Sequence, residues 1–199
     1  MIYLFKERLL KDIDFIIELD KMKSIIRQTS LIGKEQREDD AQHSWHIAVM
    51  AMVLGEYSNE EIDICKVIKM LLVHDLVEIY AGDTFCYDKK GNESKKEREL
   101  MAADKIFGIL EEDKGKVLRA LWEEFEEQKT PEALFAASMD RLQPMLNNYY
   151  NNGGTWQKFN VAKEDIYKRI EPLKEASDEL WKFVEYMIED AHKRGLIKH

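Results

Sequence analysis

The sequence predicts an all-α fold in a single domain, on three observations. Apolar residues recur at helical spacing along nearly every segment. No segment carries a strand period that persuades. Only 9 glycines and 3 prolines punctuate 199 residues, too few for a turn-rich sandwich. The length fits one domain over residues 1–199. With 45% hydrophobic and 35% charged residues, the chain has too much apolar mass for a disordered protein and too much charge for a membrane protein.

The elements follow in order. Residues 5–20 place Phe5, Leu9, Ile13, Ile16 and Ile17 on one helical stripe. A second helix is expected from about Gln42 to Tyr57, with Asp40 as its N-cap. Its interior, IAVMAMVL, is apolar all round, which suits a central helix. A third helix spans 60–81 and stops at Gly82, and 84–93 reads as a loop. Ser94 and Glu97 have capping-box spacing and open a helix to about Leu110; another runs from about Asp113 to Gln128. Thr130 and Pro131 are N-cap and N1 of a helix to about Tyr150, interrupted by Asn151–Gly154. One or two helices fill 162–194.

Charge and cysteine content narrow the function. A formal charge of −9 disfavours nucleic acid and membrane surfaces as partners, since both demand a basic face. Small-molecule chemistry is favoured. Cys65 and Cys86 form no CxxC pair and read as thiols of a reducing, cytoplasmic compartment. Only four consecutive apolar residues separate Met1 from Lys6, so no secretory signal is expected.

Three apolar helices carry charge without an evident reason. In KMLLVHDLVEIYAGD, His74, Asp75 and Glu78 fall within one 100° arc of an ideal helix. Asp83 follows Gly82, which frees it to turn back toward them. Asp140 sits beside a stripe of Ala133, Ala136 and Ala137, and Pro144 removes the amide that would pair with its carbonyl, so a kink is expected there. His43 lies at the mouth of the second helix. A lone histidine on an apolar face is ordinarily a core residue, and a lone buried aspartate a cap. Two imidazoles and two carboxylates together are instead a ligand set for one divalent cation.

These residues resemble the HD-domain phosphohydrolases, named for their adjacent His and Asp. The nearest likeness is to the branch containing the 5′-deoxynucleotidases. It is carried by HSWHIAVMAMVL, KMLLVHDLVEIYAGDT, LWEEFEEQKTPEALFAASMDRLQPMLNNY and GGTW, and covers about residues 20–185. The resemblance implies an all-helical HD-type bundle with a metal site at its centre. His43, His74, Asp75 and Asp140 would be the ligands of one divalent ion, with Mn, Co, Ni, Zn, Fe and Mg not distinguished. Glu78 would be the acid–base glutamate, Asp83 a catalytic and substrate-side aspartate, and Arg27 a phosphate-gripping arginine. The implied reaction is release of phosphate from (deoxy)nucleoside 5′-monophosphates, a small-molecule nucleotide being the partner. Gln28 and Thr29 follow Arg27 where the bacterial deoxynucleotidases have a tryptophan, so the resemblance leaves the choice between deoxyribose and ribose open.

The physical logic agrees. A carboxylate one turn from a metal ligand can move a proton between water and a leaving alkoxide, and Glu78 has that placement. Weaker candidates are His46 as a ligand, Arg37 and Glu38 as supports of His43, and Arg141 beside Asp140. Trp45 is expected in the core and Cys86 to be inert. Competing readings are triphosphate or cyclic-nucleotide hydrolysis, and a non-catalytic helical module stabilised by metal. A homodimer is expected through the 175–193 segment, which carries Leu180, Trp181, Phe183, Val184, Tyr186 and Met187.

Overall fold

In a computed structural model of the chain, residues 6–198 are described; Phe5, and with it the start of the first expected stripe, lies outside them. Twelve α-helices and one β-hairpin make up the described residues. Helix α1 (Glu7–Glu18) continues into a 3-10 turn over Leu19–Ser24. Strands β1 (Ile26–Ser30) and β2 (Arg37–Asp39) follow, and no strand was expected here. They pair antiparallel, with Ile26 opposite Asp39 and Ser30 opposite Arg37 across an irregular register. Such short, polar segments lack a readable period. Their pairing is set by backbone bonds and by the inward turn of Thr29 and Glu38, both buried.

Helix α2 (Asp40–Leu54) begins one residue away from the expected cap. Asp39, not Asp40, caps it: its carboxylate accepts from the Gln42 amide at 2.8 Å, and Gln42 Oε1 accepts from the Asp39 amide at 3.1 Å. That frees Asp40 to turn inward, where it is fully buried. Nor is α2 buried all round. Trp45 is 66% exposed and shares an outer face with Val49, Met52 and Val53, so the expectation of a core tryptophan fails. Position on a surface stripe decides this, and composition does not show which stripe faces out.

Helix α3 (Ile64–Val73) starts later than expected, at the Asp63 cap, and ends earlier. Residues 74–77 form tight turns before α4 (Glu78–Ala81). A short helix, α5 (Lys89–Glu93), lies within the segment read as loop, and the longer α6 (Lys95–Phe107) follows. The Ser94 capping box does not form; Ser94 Oγ accepts instead from Arg98 Nε at 3.3 Å. Helix α7 (Glu112–Glu127) leads to α8 (Pro131–Tyr150), where Thr130 Oγ1 accepts from the Ala133 amide at 3.2 Å as expected. Helix α8 stays helical through Pro144.

The Asn151–Gly154 break does more than end α8. Asn151 Nδ2 donates to the Ser30 and Leu31 carbonyls, and its Oδ1 accepts from the Gly33 amide at 2.7 Å, which pins the hairpin to the bundle. Gly154 has φ +37°, and a Cβ there would lie 2.5 Å from Asn148 Oδ1. That oxygen accepts from both the amide and the hydroxyl of Thr155, opening α9 (Gly154–Lys158). Three helices, not one or two, complete the chain: α10 (Lys163–Ile170), α11 (Pro172–Ala176) and α12 (Asp178–Lys193). Pro172 and the extended Ser177 separate them.

Apolar residues gather in two cores. The larger draws on α2, α3, α8 and α10–α12, with Ile47, Met70, Phe135, Met139 and Ile188 at its heart. The smaller holds Phe15, Val73, Leu76, Val77, Ile106 and Trp122. His74 and Asp75 sit where the chain crosses from one core to the other. No described helix is long and apolar enough to cross a membrane.

Candidate metal centre and catalytic cleft

The tight turns after α3 arise because Leu76 N bonds to Val73 O and Glu78 N to Asp75 O, each three residues back. An ideal helix does not continue here, yet His74, Asp75 and Glu78 still converge. His74 ends α3 with Nδ1 2.9 Å from the Leu71 carbonyl, so this nitrogen carries the proton and donates. Its Nε2 is buried without a hydrogen-bond partner, 3.1 Å from Asp75 Oδ1 and 3.7 Å from Asp140 Oδ1. His43, on α2, is fully buried. Its Nδ1 donates to Gln143 Oε1 at 3.1 Å, and Gln143 Nε2 in turn donates to Glu38 Oε2 at 2.8 Å. This relay aims His43 Nε2 at Asp140 Oδ1, 3.1 Å away, and toward Asp75 Oδ2 at 4.0 Å.

All four expected ligands therefore meet at one point, and the donor set fits a divalent cation on three counts. Ligand atoms bonded at about 2.1 Å lie about 3 Å apart when adjacent around an ion, close to the 3.1 Å spacings of both His–Asp pairs. The orphaned Nε2 of His74 presents a lone pair to two carboxylates, an arrangement that only a cation or a proton relieves. Each histidine gives its other ring nitrogen to an oxygen acceptor, as metal-bound imidazoles do.

Electrostatics say the same. Burial alone would lower His74, but Asp75 and Asp140 outweigh it and lift the imidazole to about 10, so a proton stands where an ion would. Burial and the charge of Arg27 push His43 down to about 4. Asp75 and Asp140 are held well below the usual carboxylate range despite burial, by His74 and by both histidines respectively.

Beside this centre lies a second set of acids. Oxygens of Asp40, Asp75 and Glu78 approach within 4.8 Å of one another. Burial, then Asp75 and Asp40, raises Glu78 well above the ordinary glutamate value. Asp40 is lifted to about 7 by burial and Asp75. Arg27 reaches into this set from β1: its Nη1 lies 2.9 Å from Asp75 Oδ2 and 3.4 Å from Asp40 Oδ1, and its Nε lies 3.6 Å from Glu38 Oε1. The guanidinium expected to face phosphate is thus engaged with three carboxylates.

A cleft of about 160 Å³ opens over the centre, lined by Arg27, Asp75, Glu78, Asp83, Asp140 and Arg141 among others. Asp83, half-buried, does turn back into it past Gly82. Phe85 of the same loop stacks near Phe159 at 4.5 Å between ring centroids. Of the weaker candidates, His46 contacts Gln143 (3.3 Å) and reinforces the relay, while Arg37 is exposed. Glu38 is the true support of His43. Sequence reasoning missed Gln143 altogether. The available signal was a polar residue one turn from Asp140 on a helix face otherwise lined by Phe135, Met139 and Leu142.

Comparison with known proteins follows the same geography. A family model described as HD domain matches residues 19–181. A 5′-deoxynucleotidase HDDC2 of Dictyostelium discoideum is 37% identical over 122 residues, which cover 59% of this chain and 64% of the relative. The Homo sapiens protein of that name is 32% identical over 135 residues, covering 67% of this chain and 65% of its own. The chain thus spans slightly less than two thirds of these relatives. A crystal structure from Magnetospirillum magnetotacticum MS-1, described as a predicted metal-dependent phosphohydrolase, superposes with a TM-score of 0.92 at 42% identity over 96% of each chain. The matched span takes in every ligand candidate from His43 to Asp140, and the chain belongs to the HD-domain family.

Proposed function

We propose that this protein is a metal-dependent phosphohydrolase that releases phosphate from nucleoside 5′-monophosphates, deoxyribonucleotides included. One observation carries the reading: a buried Glu78, its carboxyl shifted toward the acid form, lines the same cleft as Asp75 and Asp140, two of the four converging donors. A scaffold would need the donors but not the acid. The similarity to proteins named 5′-deoxynucleotidase supports the nucleotide assignment.

His43, His74, Asp75 and Asp140 would hold one divalent ion. When bound, such an ion neutralises phosphoryl charge and acidifies water. Glu78 supplies the proton. As the bond from phosphorus to the 5′ oxygen breaks, its carboxyl gives that oxygen a proton, and the attacking water returns one to the carboxylate. Asp83, at the cleft edge, orients the water or holds a sugar hydroxyl. Gln28 and Thr29 line the cleft where a bulky indole would crowd a 2′-hydroxyl, so ribonucleotides are accepted too.

We also infer a homodimer and a cytoplasmic setting. Exposed apolar side chains on α2 and α12 support the first, and the free, exposed Cys65 and Cys86 support the second. The central test is phosphate release from a panel of 5′- and 3′-monophosphates, ribo and deoxy, with Mn, Co, Ni, Zn, Fe and Mg supplied in turn. Release from 5′-monophosphates is expected. No release with any ion would overturn the reading.

A further inference from the structure

Two arginines of the cleft have no part in that scheme, and they lack the pairing that Arg27 has with its carboxylates and Lys95 with Glu99 at 3.4 Å. Arg141 follows Asp140 on α8, Arg169 stands near the end of α10, and both line the cleft. Arg141 Nη2 donates to Gln128 Oε1 at 3.1 Å. Its Nε and Nη1 are buried with no hydrogen-bond partner, and among the described residues it forms no ion pair. Arg169 Nη2 lies 3.3 Å from Asp140 Oδ2, and the Arg169 side chain is 40% exposed. Asp140 turns its other oxygen, Oδ1, to His43 and His74. One aspartate thus faces two arginines and two histidines.

Charge matching in the cleft is therefore incomplete. Arg27 already has Asp75, Asp40 and Glu38. Once Asp140 shares its charge with a metal ion, Arg169 is left without a full counter-charge, and Arg141 has no carboxylate at ion-pair distance, Asp140 and Glu126 acting on it only from further off. Unmade hydrogen bonds on a buried guanidinium are costly, and the ligand that best completes them is a tetrahedral oxyanion taking several N–H groups at once.

We infer that Arg141 and Arg169 grip the phosphate oxygens of the substrate, and that Arg27 instead holds Asp75 in place. The existence of an anion site stands on the unpaired donors alone; its assignment to a substrate phosphate rests on the phosphohydrolase reading. Arg169 touches the oxygen of Asp140 opposite the metal donors, so a phosphate there spans from the metal centre to the arginines.

Calorimetric titration of inorganic phosphate into the manganese-loaded protein tests this without turnover. Arg141→Gln and Arg169→Gln are each expected to weaken phosphate binding about tenfold or more, the loss of a charged hydrogen bond. Arg141→Lys should recover only part, because an ammonium cannot replace the fork of N–H groups. Metal content and melting temperature should stay near wild type. Lys116→Gln, a remote exposed charge on α7, should leave binding unchanged. Phosphate affinity within twofold of wild type in both arginine variants overturns the inference, as does equal weakening by Lys116→Gln. Should Arg141→Gln fail to fold, Arg169→Gln, half-exposed at a helix end, decides alone. Weakened binding in a protein that hydrolyses no nucleotide leaves the anion grip standing and rejects the function. Normal binding in a protein that hydrolyses them does the reverse.

Discussion

Three effects act together to favour the acid form of Glu78: it is buried, and Asp75 and Asp40 lie beside it. Glu78→Gln should keep the metal and lower turnover by about 10²–10⁴-fold, the usual worth of a positioned acid or base. Elemental analysis beside a rate assay checks it; loss of metal would make Glu78 a ligand, and near-normal turnover would remove it from the mechanism. Glu38 makes a different prediction. Burial lifts it from 4.5 to about 7, against the pull of Arg27 and Gln143. A folded value above the unfolded one means its contribution is fully present below about 4.5 and lost as pH rises through about 7. The whole effect is on the order of 3 kcal/mol. In the metal-free protein, Glu38→Gln should therefore gain stability over wild type as pH is raised from about 5 to about 8. Urea unfolding at both pH values measures it, and parallel curves would refute it.

At the scale of elements, the loop that carries Asp83 is held from α6. Arg98 donates to the Ala81 carbonyl, to Thr84 Oγ1 at 2.8 Å and to the Gly91 carbonyl at 3.2 Å. Asp83 lies between two of these anchor points. Gly82, at φ +76° and ψ 149°, makes the turn in a region that side chains rarely enter. Arg98 is thus a positioning residue: it does not line the cleft but anchors the loop on both sides of Asp83. Arg98→Gln should lower kcat about tenfold or more with metal content unchanged, since a small displacement of a reacting group is costly. Lysine at this position should restore part of the rate, and added guanidinium ion more. Equal loss of metal and rate would instead mark Arg98 as merely structural.

For the whole molecule, the site lies at a seam. Helices α2 and α8 bring His43, Asp140 and Gln143 from the larger core, while Val73, Leu76 and Val77 of the smaller core flank His74 and Asp75. Neither core alone would close the centre. Helix α12 buries Leu180, Val184, Met187 and Ile188 and leaves Phe183 and Tyr186 outside. The wider exposed apolar face is on α2, through Trp45, Val49, Met52 and Val53, with Leu72 from α3. Faces of this kind mark contact surfaces. Light scattering should give twice the 23.5 kDa chain mass, and Met52→Asp should halve it. A monomer at micromolar concentration would reject the dimer.

The longer helices and the four candidate metal donors were legible from residue order, because helical periodicity is local and a charge inside an apolar helix is conspicuous. Thr130 and Pro131 announced α8, and His43, His74, Asp75 and Asp140 announced the centre. What residue order could not decide depends on distant partners. The hairpin of β1 and β2 exists through pairing and through Asn151, more than 100 residues away. Asp39 took the cap and sent Asp40 inward, a choice settled by Arg27 and the burial of the neighbouring acids. Gln143 became the support of His43 only once α2 and α8 met. Arg27 found its carboxylates by the same convergence, and Trp45 faced outward because packing chose another stripe of α2. Local propensity names the elements; only their contact in space assigns the polar side chains their partners.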